Sequence, residues 1–98
     1  MRTRPAVAVS GAIRRCEFIE EEARELRAAV EADDLVGAAD ALGDLVYVVY
    51  GTALHFGIDL DAVVQEIHRS NMTKSPAGDA KAVKGPGYKA PALGDLLR

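Results

Sequence analysis

The chain contains few aromatic residues and a single cysteine. Aromatic side chains make up 5% of its 98 residues, tryptophan is absent, and Cys16 stands alone. One cysteine cannot build a disulfide framework within a chain, so we expect a reducing, cytoplasmic setting. Because aromatics are scarce, the 49% of apolar residues are mostly alanine, valine and leucine, which favours helices packed against a second copy of the chain.

Sequence motifs of several common enzyme classes are also missing. The chain has no glycine-rich dinucleotide fingerprint, Walker loop, nucleophile elbow or cysteine–histidine zinc spacing. Its net charge of −3 argues against nucleic acid as a partner, because nucleic acid requires a basic face. The apolar run after Pro5 is too short for a signal peptide, so we expect a soluble protein that is not exported.

Turn and cap residues predict three helices within a single domain that spans the chain. Ser10 and Asp59 are the predicted N-caps of the first and third helices, and Gly57 is the predicted end of the second. The predicted parts are an arm over residues 1–10, a helical core over 11–74 and a tail rich in glycine and lysine over 75–98. The sequence therefore predicts an all-α fold.

The first predicted helix carries carboxylates on its apolar side. Winding residues 18–30 as a helix puts Glu22 in the middle of the apolar arc, with Glu21 and Glu25 on its rim. A buried carboxylate must be neutralised by a proton, a partner side chain or a metal ion, and hard divalent cations prefer oxygen ligands. The alternative is a solvated glutamate-rich face, which we favour for Glu20 but which does not explain Glu22.

The second predicted helix is apolar almost all round from Ala41 to Phe56, which is typical of a helix enclosed on most sides. A membrane span is the competing interpretation, but the run is too short and contains Asp44 and His55. Asp44 needs a partner as much as the buried glutamate does.

An antiparallel hairpin of these two helices would supply that partner. The short link between them would let Glu22 and Glu25 face Asp40 and Asp44. The alternative is that Asp44 pairs with an arginine, and the available ones are Arg14, Arg15 and Arg24. We favour a metal site because several acids converge without a matching number of cations.

The third predicted helix and the tail present groups that suit an anionic ligand. The apolar stripe of the helix ends in Asn71 and Lys74, although an ordinary polar helix end would look similar. In the tail, residues 85–87 are Gly-Pro-Gly, which lets backbone amides approach a phosphate beside Lys84 and Tyr88. A disordered tail is the alternative.

Four segments in this order resemble the all-α nucleoside triphosphate pyrophosphohydrolase superfamily. More narrowly, the chain is similar to the MazG-like proteins, which are relatives of phosphoribosyl-ATP pyrophosphohydrolase and of dimeric dUTPases. The segments are FIEEEAREL at residues 18–26, DALGDLVYVVYGTALHFGID at 40–59, HRSNMTK at 68–74 and KGPGY at 84–88.

The resemblance implies a magnesium site, with Mn²⁺ as a substitute for Mg²⁺. The superfamily holds the metal with an E-E-x-x-E pattern and a later E-x-x-D pattern. The matching acids are Glu21, Glu22 and Glu25 for the first pattern and Asp44 for the second. The chain departs from the second pattern because Ala41 stands where its glutamate would be, and Asp40, one turn before Asp44, resembles the acid of the MazG-like branch.

The resemblance also implies phosphate contacts and a quaternary structure. The phosphate-binding positions fall on Asn71, Lys74, Lys84 and Tyr88. The implied protomer has three helices and pairs into a homodimer, or a tetramer built from it, with four-helix-bundle cores. Relatives often carry an extra helix before the first acidic one, whereas this chain has a short arm, so part of the base pocket is expected to be missing or to come from a partner subunit.

The resemblance implies a magnesium-dependent hydrolase that converts a nucleoside triphosphate to its monophosphate and pyrophosphate, with Glu21 and Glu22 as catalytic residues. We expect neither a nucleic-acid nor a membrane partner. Two alternatives remain: a non-catalytic helical dimer that binds nucleotide or metal, and an interaction module whose acids are salt-bridged.

Overall fold

The computed structural model describes residues 9–76 and 82–97, and this part of the chain is helical. The helices are α1 (Val9–Glu31), α2 (Leu35–Phe56) and α3 (Leu60–Asn71), followed by a short 3-10 helix, η1 (Gly94–Leu97). An isolated antiparallel bridge joins Ser75 to Val83, and the described residues form no β-strand. The all-α prediction is confirmed.

The cap of α3 and the glycine that ends α2 are those that the sequence predicts, whereas Asp34 as the cap of α2 was not predicted. Asp34 accepts a hydrogen bond from the backbone N–H of Gly37 at 2.9 Å, and Asp59 accepts one from that of Ala62 at 3.2 Å. Gly57 ends α2 in the left-handed conformation with φ of 71°, which glycine adopts without steric cost. Both helix starts are therefore fixed by an aspartate that satisfies an otherwise unpaired amide.

The predicted start of the first helix is wrong. Ser10 was expected to cap it, but α1 already includes Val9 and Ser10. Of the predicted arm over residues 1–10, only its last two residues are described, and they are helical.

The chain forms two compact units, one ending at Gly57 and the other beginning at Ile58. The first contains α1 and α2, which pack together as an antiparallel hairpin. The second contains α3, the described tail and η1. The described residues that carry the predicted acids all belong to the first unit.

Three close approaches define the register of the hairpin. A Cβ built on Gly11 would lie 3.0 Å from the ring of His55, one on Gly51 would lie 3.2 Å from Arg15 Nη1, and one on Gly37 would lie 3.3 Å from Ala29 Cβ. In these contacts, moving forward along α1 by a given number of residues corresponds to moving back along α2 by the same number. The same register places Glu22, seven residues after Arg15, opposite Asp44, seven residues before Gly51.

Most of the apolar surface of α2 is exposed in the single chain. Of its residues, Ala41 and Ala53 are buried, whereas Tyr47 is 82% and Leu54 is 80% exposed. The prediction that this helix is enclosed on most sides is therefore wrong for one chain alone. By length and composition, α2 is also the one helix in the described ranges that is apolar enough to cross a membrane, a property shared by core helices of soluble proteins and by signal sequences.

Candidate active site

Four of the predicted carboxylates lie near one another midway along the hairpin. Glu22 is half-buried, and its Oε2 atom is fully buried with no hydrogen-bond partner. Glu21, Glu25 and Asp44 around it are exposed. The helical spacing of α1 brings Glu25 beside Glu22, and the hairpin register brings Asp44 across from it.

The electrostatics of Glu22 reflect this crowding. Its pKa is raised from the ordinary 4.5 to about 7, first by a hydrogen bond with the Glu25 side chain and then by burial. Repulsion from the charges of Glu25, Asp44 and Glu21 raises the pKa further. A carboxyl group that titrates near neutral pH because other acids surround it is typical of functional sites.

The donor set suits a hard divalent cation, but the side chains are not gathered around one point. Across residues 9–76 and 82–97, no three histidine, cysteine, aspartate or glutamate side chains are placed to hold one ion. A cation near Glu22 would neutralise its unpartnered oxygen and the repulsion among the acids beside it. The oxygen chemistry therefore fits Mg²⁺, and the exposed carboxylates are free to change rotamer towards it.

Asp40 is less closely tied to this group than the sequence suggests. It is exposed, and it is not among the side chains that shift the pKa of Glu22. By the hairpin register it lies opposite Leu26 rather than Glu22. Its role as a ligand stays a prediction.

The described structure does not show the arginine pairing that the sequence left open for Asp44. Arg14 and Arg15 instead lie over the ring of Phe18, with guanidinium carbons 5.4 and 5.9 Å from its centroid. The ion pairs found in the described ranges are Arg27–Glu31 and Arg69–Glu66. The acids around Glu22 are thus not neutralised by a described basic side chain.

A hollow of about 170 Å³ opens at the link between α1 and α2. None of the predicted site residues lines it, and its Asp34 is already used as the cap of α2. Its lining residues are Val30, Asp33, Asp34, Leu35 and Ala38.

The predicted phosphate-binding residues all lie in the second unit. Asn71 is the exposed last residue of α3, and its carbonyl accepts a hydrogen bond from the backbone N–H of the half-buried Lys74 at 3.0 Å. Further along, the ammonium nitrogen of Lys84 lies 5.4 Å from the centroid of the Tyr88 ring. The structure thus joins Asn71 to Lys74 through the main chain and Lys84 to Tyr88 through their side chains.

The tail is held against α3 by polar contacts that the sequence analysis did not anticipate. Ser70, which is 1% exposed, donates a hydrogen bond to the carbonyl of Lys89 at 2.8 Å, and its Oγ lies 3.4 Å from the Tyr88 hydroxyl. The backbone N–H of Lys89 in turn donates to Thr73 Oγ1 at 2.8 Å. The described part of the tail is therefore docked on α3 and not a free loop.

An ion pair extends this docking towards the C-terminus. Glu66 accepts hydrogen bonds from Arg69 at 2.7 and 2.9 Å and from the backbone N–H of Ala92 at 2.7 Å. Arg69 also donates to the carbonyl of Ala90 at 3.1 Å. The sequence signal that could have indicated these contacts is the polar face of α3 and the turn after it. Residues 66, 70 and 73 recur there at helical spacing.

Comparison with known proteins identifies the family. The sequence profile of the phosphoribosyl-ATP pyrophosphohydrolase family matches residues 3–71, a range that includes the predicted acids and Asn71 but ends before Lys74, Lys84 and Tyr88. An uncharacterized protein of Acanthamoeba polyphaga mimivirus is 38% identical over 74 residues, which is 76% of this chain. The chain spans only 24% of that relative's length. The residues that match the family profile make up more than half of this chain. The chain therefore belongs to the phosphoribosyl-ATP pyrophosphohydrolase family.

Proposed function

We propose that the protein is a magnesium-dependent nucleoside triphosphate pyrophosphohydrolase of the MazG-like branch. It would convert a nucleoside or deoxynucleoside triphosphate to its monophosphate and pyrophosphate, as a cytoplasmic enzyme that removes unwanted nucleotides. Family membership supports a pyrophosphohydrolase-type activity and a nucleotide substrate. The MazG-like assignment rests on the resemblance of the acidic motifs.

The observation that carries this proposal is the environment of Glu22. Its buried Oε2 has no hydrogen-bond partner, and three neighbouring acids raise its pKa to about 7. Such an arrangement is unfavourable in the folded protein by itself, and burial of an unpartnered carboxylate oxygen has no evident structural purpose. A site that binds a cation and moves a proton explains both features.

The residues divide the chemistry between them. Mg²⁺, or Mn²⁺, would be held by Glu21, Glu22, Glu25, Asp44 and Asp40, and when bound it would neutralise charge on the phosphoryl oxygens. Glu22, with Glu21 beside it, would accept a proton from the attacking water.

By the resemblance, Asn71, Lys74, Lys84 and Tyr88 would contact the phosphates. Lys74 and Lys84 would act as fixed cations on the phosphates. Asn71 and the Tyr88 hydroxyl would donate hydrogen bonds to the phosphate oxygens.

We further propose that the active form is a homodimer, or a tetramer built from it. Exposed apolar residues recur along α2 at steps of four, which makes a continuous row on one side of the helix. The row consists of Leu42, Val46, Tyr50 and Leu54. Pairing of two hairpins along this row would give the four-helix bundle and bury the surface that one chain leaves exposed.

Pyrophosphate release from a panel of canonical, deoxy and damaged nucleoside triphosphates, measured with magnesium and with EDTA, tests the proposed reaction. We expect release that requires magnesium and that Glu22→Gln abolishes. Glu20→Gln is the matched control, because Glu20 is an exposed glutamate of the same helix, and it should retain parental turnover.

The result that would overturn the proposal is pyrophosphate release by Glu22→Gln at the parental rate. Binding of magnesium and nucleotide without any release would instead show a non-catalytic nucleotide-binding protein. If magnesium failed to raise the melting temperature at all, the acids would not form a metal site.

A further inference from the structure

We propose that the end of the hairpin beyond the acids, built from Arg14, Arg15 and His55, is a separate binding site for a phosphoryl anion. This inference deepens the proposed function, because it assigns to the substrate or to released pyrophosphate a contact that the acids cannot make. It rests on contacts within the first unit only.

Two basic side chains lie on glycines of the opposite helix. Arg15 of α1 extends across Gly51 of α2, where a Cβ would come within 3.2 Å of its Nη1 atom. His55 of α2 extends across Gly11 of α1, where a Cβ would come within 3.0 Å of its Nε2 and Cε1 atoms. Each glycine thus allows a basic side chain to approach closely, and a Cβ in its place would displace that side chain by a few tenths of an ångström.

The positive charges at this end are not neutralised by described carboxylates. Arg14 and Arg15 share the ring of Phe18, at 5.4 and 5.9 Å from its centroid, and neither takes part in the ion pairs found in the described ranges. An aromatic ring stabilises a cation but does not cancel its charge. An anion with several oxygens would do so, and guanidinium groups bind phosphate oxygens in pairs.

The acidic region of the hairpin around Glu22 and the basic region around Arg15 have opposite charge and lie a short distance apart. Arg15 precedes Glu22 by seven residues on the same face of α1, which corresponds to about 10 Å along a helix axis. The acidic region suits a cation and the basic region suits an anion. The ligand class that satisfies both is a phosphate-bearing molecule whose phosphoryl groups extend beyond the metal.

The simpler explanation is that Arg15 only packs on Phe18 and stabilises α1. A pair of glycine variants separates the two explanations. Gly51→Ala would place a methyl group 3.2 Å from Arg15 Nη1, whereas a Cβ on Gly43 meets no atom within 4 Å. Both positions lie inside α2, so both variants gain the same helix propensity, and they differ in what happens to Arg15.

The test measures binding of inorganic pyrophosphate by calorimetry in EDTA, so that the acidic site contributes nothing through a metal. We expect Gly43→Ala to bind as the parent does, Arg15→Gln to bind about tenfold more weakly or worse because it loses charge-assisted hydrogen bonds, and Gly51→Ala to show a smaller loss in the same direction because it only displaces Arg15 Nη1. Arg27→Gln is a charge control, since Arg27 lies on the same helix in an exposed ion pair with Glu31, and it should bind as the parent does.

Three results would overturn the inference: no pyrophosphate binding by the parent, parental binding by both Gly51→Ala and Arg15→Gln, or equal weakening in Arg27→Gln. The last would show that binding follows net charge only. If Gly51→Ala failed to fold, Arg15→Gln would decide alone.

Kinetics with magnesium distinguish the sources of the anion. A contact to the substrate raises the KM of Arg15→Gln about tenfold with little change in kcat, whereas a contact to the product alone weakens inhibition by pyrophosphate and leaves KM unchanged. If the parent shows no turnover, the proposed function fails while the measurement in EDTA still tests this site.

Discussion

The two units of the chain differ in the surroundings of a key glutamate, Glu22 in the hairpin and Glu66 in the second unit. In the hairpin, Glu22 is surrounded by other acids, and its pKa is raised to about 7, while Arg15 rests on an aromatic ring. In the second unit, Glu66 bonds to Arg69 and to a backbone amide, and its pKa is lowered to about 2. The same bond to Glu66 raises the pKa of Arg69. The hairpin thus holds Glu22 among like charges, whereas the second unit pairs Glu66 with a cation.

The packing of the two units differs in the same sense. The hairpin leaves a row of apolar residues of α2 exposed, whereas the second unit holds its tail through side-chain to backbone hydrogen bonds centred on the buried Ser70. Unsatisfied charge and exposed apolar surface both cost stability in an isolated chain. The comparison therefore supports the proposed metal site and dimer contact in the hairpin, and a mainly structural role for Ser70 and Glu66 in the contacts between α3 and the tail.

Replacing Glu22 with Gln should have the largest effect among these substitutions. We expect turnover to fall roughly 10²- to 10⁴-fold and the stability of the folded chain to rise. The raised pKa means that, as pH rises from 4.5 to about 7, the unfolded chain releases a proton that the folded chain keeps. The stabilising contribution of Glu22 is therefore present below pH 4.5 and is lost as pH rises through about 7. Glutamine does not titrate and avoids that loss.

Urea unfolding in EDTA at pH 5 and pH 8 measures this effect. We expect Glu22→Gln to be more stable than the parent at pH 8, with a smaller difference at pH 5. A variant that is less stable than the parent at pH 8 would show that the carboxylate is structural.

Replacing Val46 with Lys tests the apolar surface of the hairpin. Val46 is 54% exposed in the single chain, so lysine should leave the fold of one chain intact. In a symmetric dimer paired along α2 the substitution occurs twice, and we expect the dimer to weaken at least about tenfold. Analytical ultracentrifugation measures the dissociation constant. A parent that is monomeric, or that requires detergent to stay in solution, would contradict the proposed dimer.

The fold was predictable where short-range chemistry decides it. Asp34, which caps α2, was not among the predicted caps. Asp59 and Gly57 act locally, so their roles followed from residue type alone. Ser10 was misjudged because a serine also fits inside a helix, and nothing in the neighbouring sequence shows which role it takes.

The site was predictable as a set of residues but not as an arrangement. Helical periodicity placed Glu22 on the apolar face and its neighbours on the rim, as observed. Periodicity could not reveal that Arg15 lies on Gly51, because that contact depends on the register between two helices. The exposure of α2 was missed for a related reason, since a sequence pattern does not show which chain covers an apolar face.

Replacing Ser70 with Ala tests the structural role of the second unit. The Ser70 hydroxyl is buried and donates a hydrogen bond to the carbonyl of Lys89. Without this hydroxyl, the Lys89 carbonyl would keep only a 3.5 Å contact with Thr73 Oγ1. We expect a loss of about 1–3 kcal/mol in the free energy of unfolding and faster amide exchange in the tail.

Thr52→Val is the matched control for this loss. Its hydroxyl donates to the carbonyl of Val48 at 2.7 Å within α2, so its removal should cost less than about 0.5 kcal/mol. Equal losses in the two variants would show that the tail contributes no specific stability.

Replacing Glu66 with Gln should have the smallest effect, a loss of stability at neutral pH that disappears in acid. The pKa of Glu66 falls from 4.5 to about 2 in the folded chain, so its stabilising contribution is present above pH 4.5 and is lost as pH falls towards 2. We expect the parent to lose stability between these values more steeply than Glu66→Gln, as followed by urea unfolding at several pH values. Glu31→Gln, which removes an exposed ion pair with Arg27, should follow the parent curve because exposed pairs contribute little. Parallel curves for the parent and Glu66→Gln would mean that the Glu66–Arg69 bridge does not stabilise the docked tail, and the contrast between the two units would then rest on Ser70 alone.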